Sequence, residues 1–161
     1  ARATAVGMAG PDEIDEWGLT AALRLAALRA LAQVEPVSVL ILDGSHDYVT
    51  TPAPTLFDVV PWPDVAIPPV HRVIKGDRRC SSVAAASVVA KVTRDSLMIE
   101  LAARHPGYGW DINKGYSTPD HSDAIAAAGL CQQHRRSWRV AAAEPGEVDL
   151  RAAALSVAND A

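Results

Sequence analysis

The stretch that most constrains the fold runs from Ser82 to about Arg104. Val83, Ser87, Ala90, Val92, Leu97 and Leu101 recur there at helical spacing and predict one buried face. His105-Pro106-Gly107 then ends the helix, a stop signal in residue order. A domain built on this helix needs partners for its apolar face, and two short apolar runs upstream supply them. Val37 to Leu42 reads as a buried strand closed by the turn pair Asp43-Gly44. Val70 to Ile74 reads as a second strand, ended by Lys75-Gly76-Asp77. Strands between helices define an α/β chain.

The flanks are simpler. Ile14, Trp17, Ala21, Leu25, Leu28 and Leu31 predict a helix from Glu13 to about Val34, with Asp12 as N-cap or first-turn acid and Asp15 and Glu16 near its positive end. A proline-dense stretch over 45–69 is too long for an ordinary connection and is expected to be a functional or mobile loop. Tyr108 to Pro119 reads as a loop, Asp120 to Leu130 as a last helix, and 141–161 as a tail or docked helix. At 161 residues, with 49% hydrophobic and 21% charged residues, one domain with a core is expected. No apolar run is long enough to span a bilayer, and two cysteines are too few for a disulfide framework. Reduced thiols and a cytoplasmic location follow as expectations.

A net charge of −4 conceals a division of sign. Residues 1–70 hold three basic residues against nine acids, and residues 71–140 hold eleven against six. The basic segment is where a polyanion would bind, if its charge is more than a solvated surface. The carboxylates that could act chemically are Asp43 and Asp77, each at the end of a strand beside a glycine. Two such acids at the same end of adjacent strands can converge on a hard divalent cation, although each alone is also what an ordinary turn aspartate looks like. Lys75, Lys91 and Lys114 are the only lysines against twelve arginines, and a compact ammonium suits point contact with phosphate. Tyr116, between Gly115 and Ser117, can present its ring to a sugar or base, or pack on the domain. Cys131 and His134 have a metal-ligand spacing without a second pair, and His121 and His134 read as loop or cap residues.

These pieces occur in an order that resembles bacterial ribonuclease HII: Glu13-Ile14-Asp15, Leu42-Asp43-Gly44, Lys75-Gly76-Asp77, the string from Ala84 to Asp95 (A-A-A-S-V-V-A-K-V-T-R-D), Pro106 to Trp110, Asn113 to Tyr116, His121, and His134 to Trp138. The likeness covers about residues 4–140. It implies a ribonuclease H-like mixed sheet flanked by helices over 1–140. It further implies an endonuclease that cuts the RNA strand of RNA–DNA hybrids and nicks duplex DNA 5′ of an embedded ribonucleotide, leaving 5′-phosphomonoesters. Mg²⁺ or Mn²⁺ would be held by four carboxylates, two of them Asp43 and Asp77. Tyr116 would stack at the RNA–DNA junction, and Lys75, Ser87, Lys91 and Lys114 would contact the substrate of a monomeric enzyme. Asp95 is structural on this reading. Trp138 stands where the family more often has Phe. The D-E-x-G-R-G motif that provides the other two carboxylates is absent, so the N-terminal strands are expected to be missing. A fragment that binds nucleic acid without cutting it is the alternative.

Overall fold

The computed structural model describes residues 2–50 and 60–137. Its elements are α1 (Pro11–Trp17), α2 (Leu19–Leu31), β1 (Leu40–Asp43), β2 (Val70–Val73), a 3₁₀ turn (Gly76–Arg78), α3 (Ser81–Arg104), α4 (Trp110–Asn113) and α5 (Pro119–Ala128). The mixed α/β class is as expected. The tail beyond 141 and much of the proline-dense stretch lie outside the described residues, as does Trp138.

The first helix is two. Gly18, at φ 82° and ψ 164°, breaks it between Trp17 and Leu19. Glycine adopts that conformation without the Cβ clash that other residues meet. α1 opens with Pro11 as its first residue, Asp12 stands in its first turn, and the Glu13 carboxylate accepts the Gly10 N–H at 2.8 Å. Glu13 also takes both Arg29 guanidinium nitrogens, at 2.6 and 2.8 Å, which ties α1 to α2. Asp15 is not a helix-start acid. It accepts the backbone N–H groups of Arg136 and Ser137, at 2.7 and 2.9 Å, and so fastens the end of the described chain to α1.

β1 and β2 are parallel, with Leu40 opposite Val70 and Asp43 opposite Val73. Side chains alternate along a strand, so Leu42 enters the core while Ile41 and Asp43 face the other way. Val37 and Val39, expected inside a buried strand, precede β1 and are exposed, as is Ile41. Among the described residues the sheet has two strands, and its second face carries no full covering layer.

Two hydrophobic clusters result. One packs Leu28 of α2 against Leu42 and Val49, with Trp62, Ile67 and Val70 around them. The other joins Leu101 of α3 to Tyr108, Trp110 and Ile125. α3 touches β1, the 3₁₀ turn and α4, so it is the beam between the two. Only Val83 and Leu101 of it are buried, and Ser87, Ala90 and Val92, expected inside, face solvent. The segment Tyr108–Pro119 is not merely a loop, since α4 lies within it and holds Trp110 at the centre of the second cluster.

Candidate nucleic-acid and metal site

Asp43 ends β1, and its Oδ1 accepts the Gly76 N–H at 2.7 Å. That bond draws the Lys75-Gly76-Asp77 turn to the end of the neighbouring strand. Gly76 fits closely there: a Cβ would lie 3.3 Å from Asp43 Oδ1 and 3.4 Å from Val83 Cγ1. Lys75 precedes it in the left-handed region, at φ 55°. Asp43 and Asp77 are both exposed at this corner. Val39, Ile41, Asp43, Ser82, Val83 and Ser87 are among the residues lining an open cleft of about 540 Å³ between β1 and the first half of α3. Asp43 and Ser87 thus share one opening, and Asp77 stands in the 3₁₀ turn that Gly76 ties to Asp43. Ser87 Oγ donates to the Val83 carbonyl at 2.9 Å, a bond within its own helix.

As ligands the two aspartates suit a hard divalent ion, which takes oxygen donors. Among the described residues no group of three or more His, Cys, Asp or Glu side chains converges as metal ligands.

The basic residues further along α3 form a second constellation. Lys91 pairs with Asp95 one turn later, and Asp95 Oδ1 also lies 2.9 Å from Arg94 Nε. The Lys91 hydrogen bond and these cations hold the Asp95 carboxyl below its usual range. Arg94 Nη2 donates to Tyr116 Oη at 2.7 Å, and its guanidinium carbon lies 4.7 Å from the ring centroid. Lys114 Nζ donates to the Asp111 carbonyl. Lys91 and Lys114 thus have partners within the chain, while Tyr116 remains 57% exposed. Among the described residues no hydrogen bond or ion pair joins Tyr116 to the Asp43 corner, and α3 is the element shared by both.

His121 is a core residue of α5, buried to 7% exposure, and not a loop histidine. Its Nδ1 is 3.0 Å from the Tyr116 carbonyl, and its Nε2 accepts the Trp110 indole N–H at 3.2 Å. His134 Nε2 lies 3.3 Å from the same nitrogen, and His134 Nδ1 accepts the Cys131 N–H at 3.1 Å. The Cys131–His134 spacing thus closes a turn. Sequence reasoning missed Arg94 and the Trp110–His121 pair; the T-R-D string around Arg94 was the one local signal of the former.

Comparison with known proteins gives the family of the chain. Residues 14–141 match the family model for ribonuclease HII. A ribonuclease HII of Streptomyces avermitilis is 48% identical over 136 residues, covering 83% of this chain and 52% of its own. That of Shewanella amazonensis is 44% identical over 141 residues, covering 86% and 60%, and that of Paracoccus denitrificans 41% over 135 residues, covering 83% and 57%. The chain spans between half and three-fifths of the length of these relatives.

Proposed function

Because the chain belongs to the ribonuclease HII family, we propose that it forms part of an endonuclease. That enzyme hydrolyses the RNA strand of RNA–DNA hybrids and nicks duplex DNA 5′ of single ribonucleotides, leaving 5′-phosphomonoesters. The observation that carries this reading is the Asp43–Gly76 hydrogen bond, which sets the exposed Asp43, at the end of β1 and on the cleft, beside the turn that carries the exposed Asp77. Asp43 and Asp77 would hold Mg²⁺ or Mn²⁺. When bound, such ions supply activation of a water and stabilisation of the leaving 3′ oxygen. The resemblance assigns the remaining two ligands to the D-E-x-G-R-G strand, which these residues do not contain.

The rest of the chemistry belongs to this chain's own side chains. Asp43 is oriented by Gly76, which leaves its second oxygen free of that bond. Tyr116 offers an exposed ring to a sugar, where the 2′-hydroxyl distinguishes RNA from DNA. Lys75, Lys91 and Lys114 add positive charge toward backbone phosphates without reading sequence, and Ser87 stands by the cleft. The enzyme acts as a monomer in the cytoplasm on this reading. No helix among the described residues is long and apolar enough to cross a membrane.

A second reading is favoured by one observation, the two-acid ligand set: a module that binds hybrids but does not cut them. A labelled DNA duplex with one ribonucleotide separates the two. The chain alone in Mn²⁺ is expected to bind without nicking. Addition of a polypeptide carrying the D-E-x-G-R-G strand is expected to restore nicking that EDTA stops and Asp77→Asn abolishes. Persistent binding with no nicking after complementation supports the binding module instead.

A further inference from the structure

We propose that Arg94 is a positioning residue for Tyr116, fixing the ring before substrate arrives, and that Asp95 holds Arg94 in place for this task. The inference rests on the placement of Tyr116 at the substrate.

The backbone around Tyr116 is fixed independently of its ring. Lys114 and Gly115 take left-handed conformations, at φ 51° and 78°. Asn113 bridges the turn, donating to the Tyr108 carbonyl at 2.7 Å and accepting the Gly115 N–H at 2.8 Å. His121 Nδ1 meets the Tyr116 carbonyl from the core side. None of these bonds restrains the Tyr116 side-chain torsions. Arg94 supplies both the hydrogen bond to the Tyr116 hydroxyl and the cation over its ring.

Arg94 makes two hydrogen bonds to the Tyr116 loop and an ion pair with its neighbour Asp95. Nη2 donates to Tyr116 Oη, Nη1 donates to the Lys114 carbonyl at 3.2 Å, and Nε lies 2.9 Å from Asp95 Oδ1. A planar fork with donors at fixed angles can make both hydrogen bonds while staying paired with the neighbouring carboxylate, and a lysine ammonium on a flexible stem cannot. The guanidinium covers one face of the ring. The other face is left for a sugar or base, so the ring meets its ligand in one orientation. Freezing that orientation in advance removes part of the ordering cost of binding.

The test is a double-mutant cycle on binding in EDTA, comparing a duplex carrying one ribonucleotide with the all-DNA duplex. Tyr116→Ala establishes whether the ring contributes to the preference. If wild type shows no preference, or Tyr116→Ala leaves it unchanged, the placement of Tyr116 at the substrate fails, and the proposal with it. Given a Tyr116-dependent preference, Arg94→Ala and Arg94→Lys are each expected to reduce it roughly 3- to 10-fold, the scale of ordering one aromatic side chain. Asp95→Asn is expected to fall between those variants and wild type, and Arg94→Ala/Tyr116→Ala to be no worse than Tyr116→Ala alone. Full preference in Arg94→Ala, rescue by Lys, or additive losses overturn the role of Arg94. A readout without ligand accompanies the cycle: NMR relaxation of ¹³C-labelled tyrosine rings is expected to show Tyr116 more mobile in Arg94→Ala. An equally ordered ring also overturns it.

Discussion

Trp110 is enclosed by Leu101, Tyr108 and Ile125 and ringed by His105, His121 and His134, whereas Ile41, beside the buried Leu42, looks onto an open cleft. The two regions lie toward opposite ends of α3. In the first, an indole N–H, two imidazoles and a backbone carbonyl satisfy one another, so a polar group can be buried at little cost. In the second, a parallel strand pair packs one face on α2, and among the described residues its other face looks onto the cleft beside α3 without a full covering layer. Parallel sheets are ordinarily covered on both faces, and an isolated pair of strands is marginal in water. The part that presents Tyr116 is complete within the described residues, and the part that presents the acids is open.

Substitutions that exchange the two environments test this contrast. The largest effect is expected from Trp110→Ala, which empties the centre of the closed cluster and removes the His121 hydrogen bond. A loss of about 3–5 kcal/mol is the scale for a buried aromatic, read from urea unfolding. A loss below about 1 kcal/mol would mean that the cluster is not a core. The strand pair supplies an internal control at adjacent positions. Leu42→Ala is expected to cost about 2–5 kcal/mol, and Ile41→Ala less than about 1 kcal/mol. Equal losses at both would show that Ile41 is buried under a layer and that the cleft is closed in solution.

The parts of this arrangement readable from residues alone are those with local signals. α3 shows its period over more than six turns and its stop at His105-Pro106-Gly107. The contact of Asp43 with the Lys75-Gly76-Asp77 turn is marked by the glycine beside each acid, because a strand, a glycine and an acid are close in sequence. What failed depends on distant neighbours. An apolar run such as Val37–Leu42 reads as buried whether or not another layer lies over it, since periodicity reports the chain and not its covering. Gly18 stands in an apolar pattern that continues across it, so the break was hidden. Trp110 occupies a helix of one turn, and its burial depends on His121, eleven residues on. Arg94 and Tyr116 are 22 residues apart, and their pairing follows from how α4 packs on α3.

The smallest expected effect is a pH dependence confined to the closed region. Burial is the main cause that holds the His134 imidazole below its ordinary range, with the nearby His121 and His105 acting in the same direction. An unfolded histidine titrates near about 6.5. Below that pH the unfolded chain takes up a proton that the folded chain resists, so stability is present in full above about 6.5 and is lost as pH falls through the lower folded value. The carboxylates held low by hydrogen bonds, Glu13, Asp15, Asp47 and Asp95, act in the same sense but only below about pH 4. The two windows are therefore separable. Urea midpoints at pH 7.5, 6.5 and 5.5 are expected to fall in wild type and to flatten in His134→Gln, which cannot take up the proton. Parallel falls in both proteins would move the dependence to other histidines, and a flat wild-type profile would mean that His134 is not shielded from water.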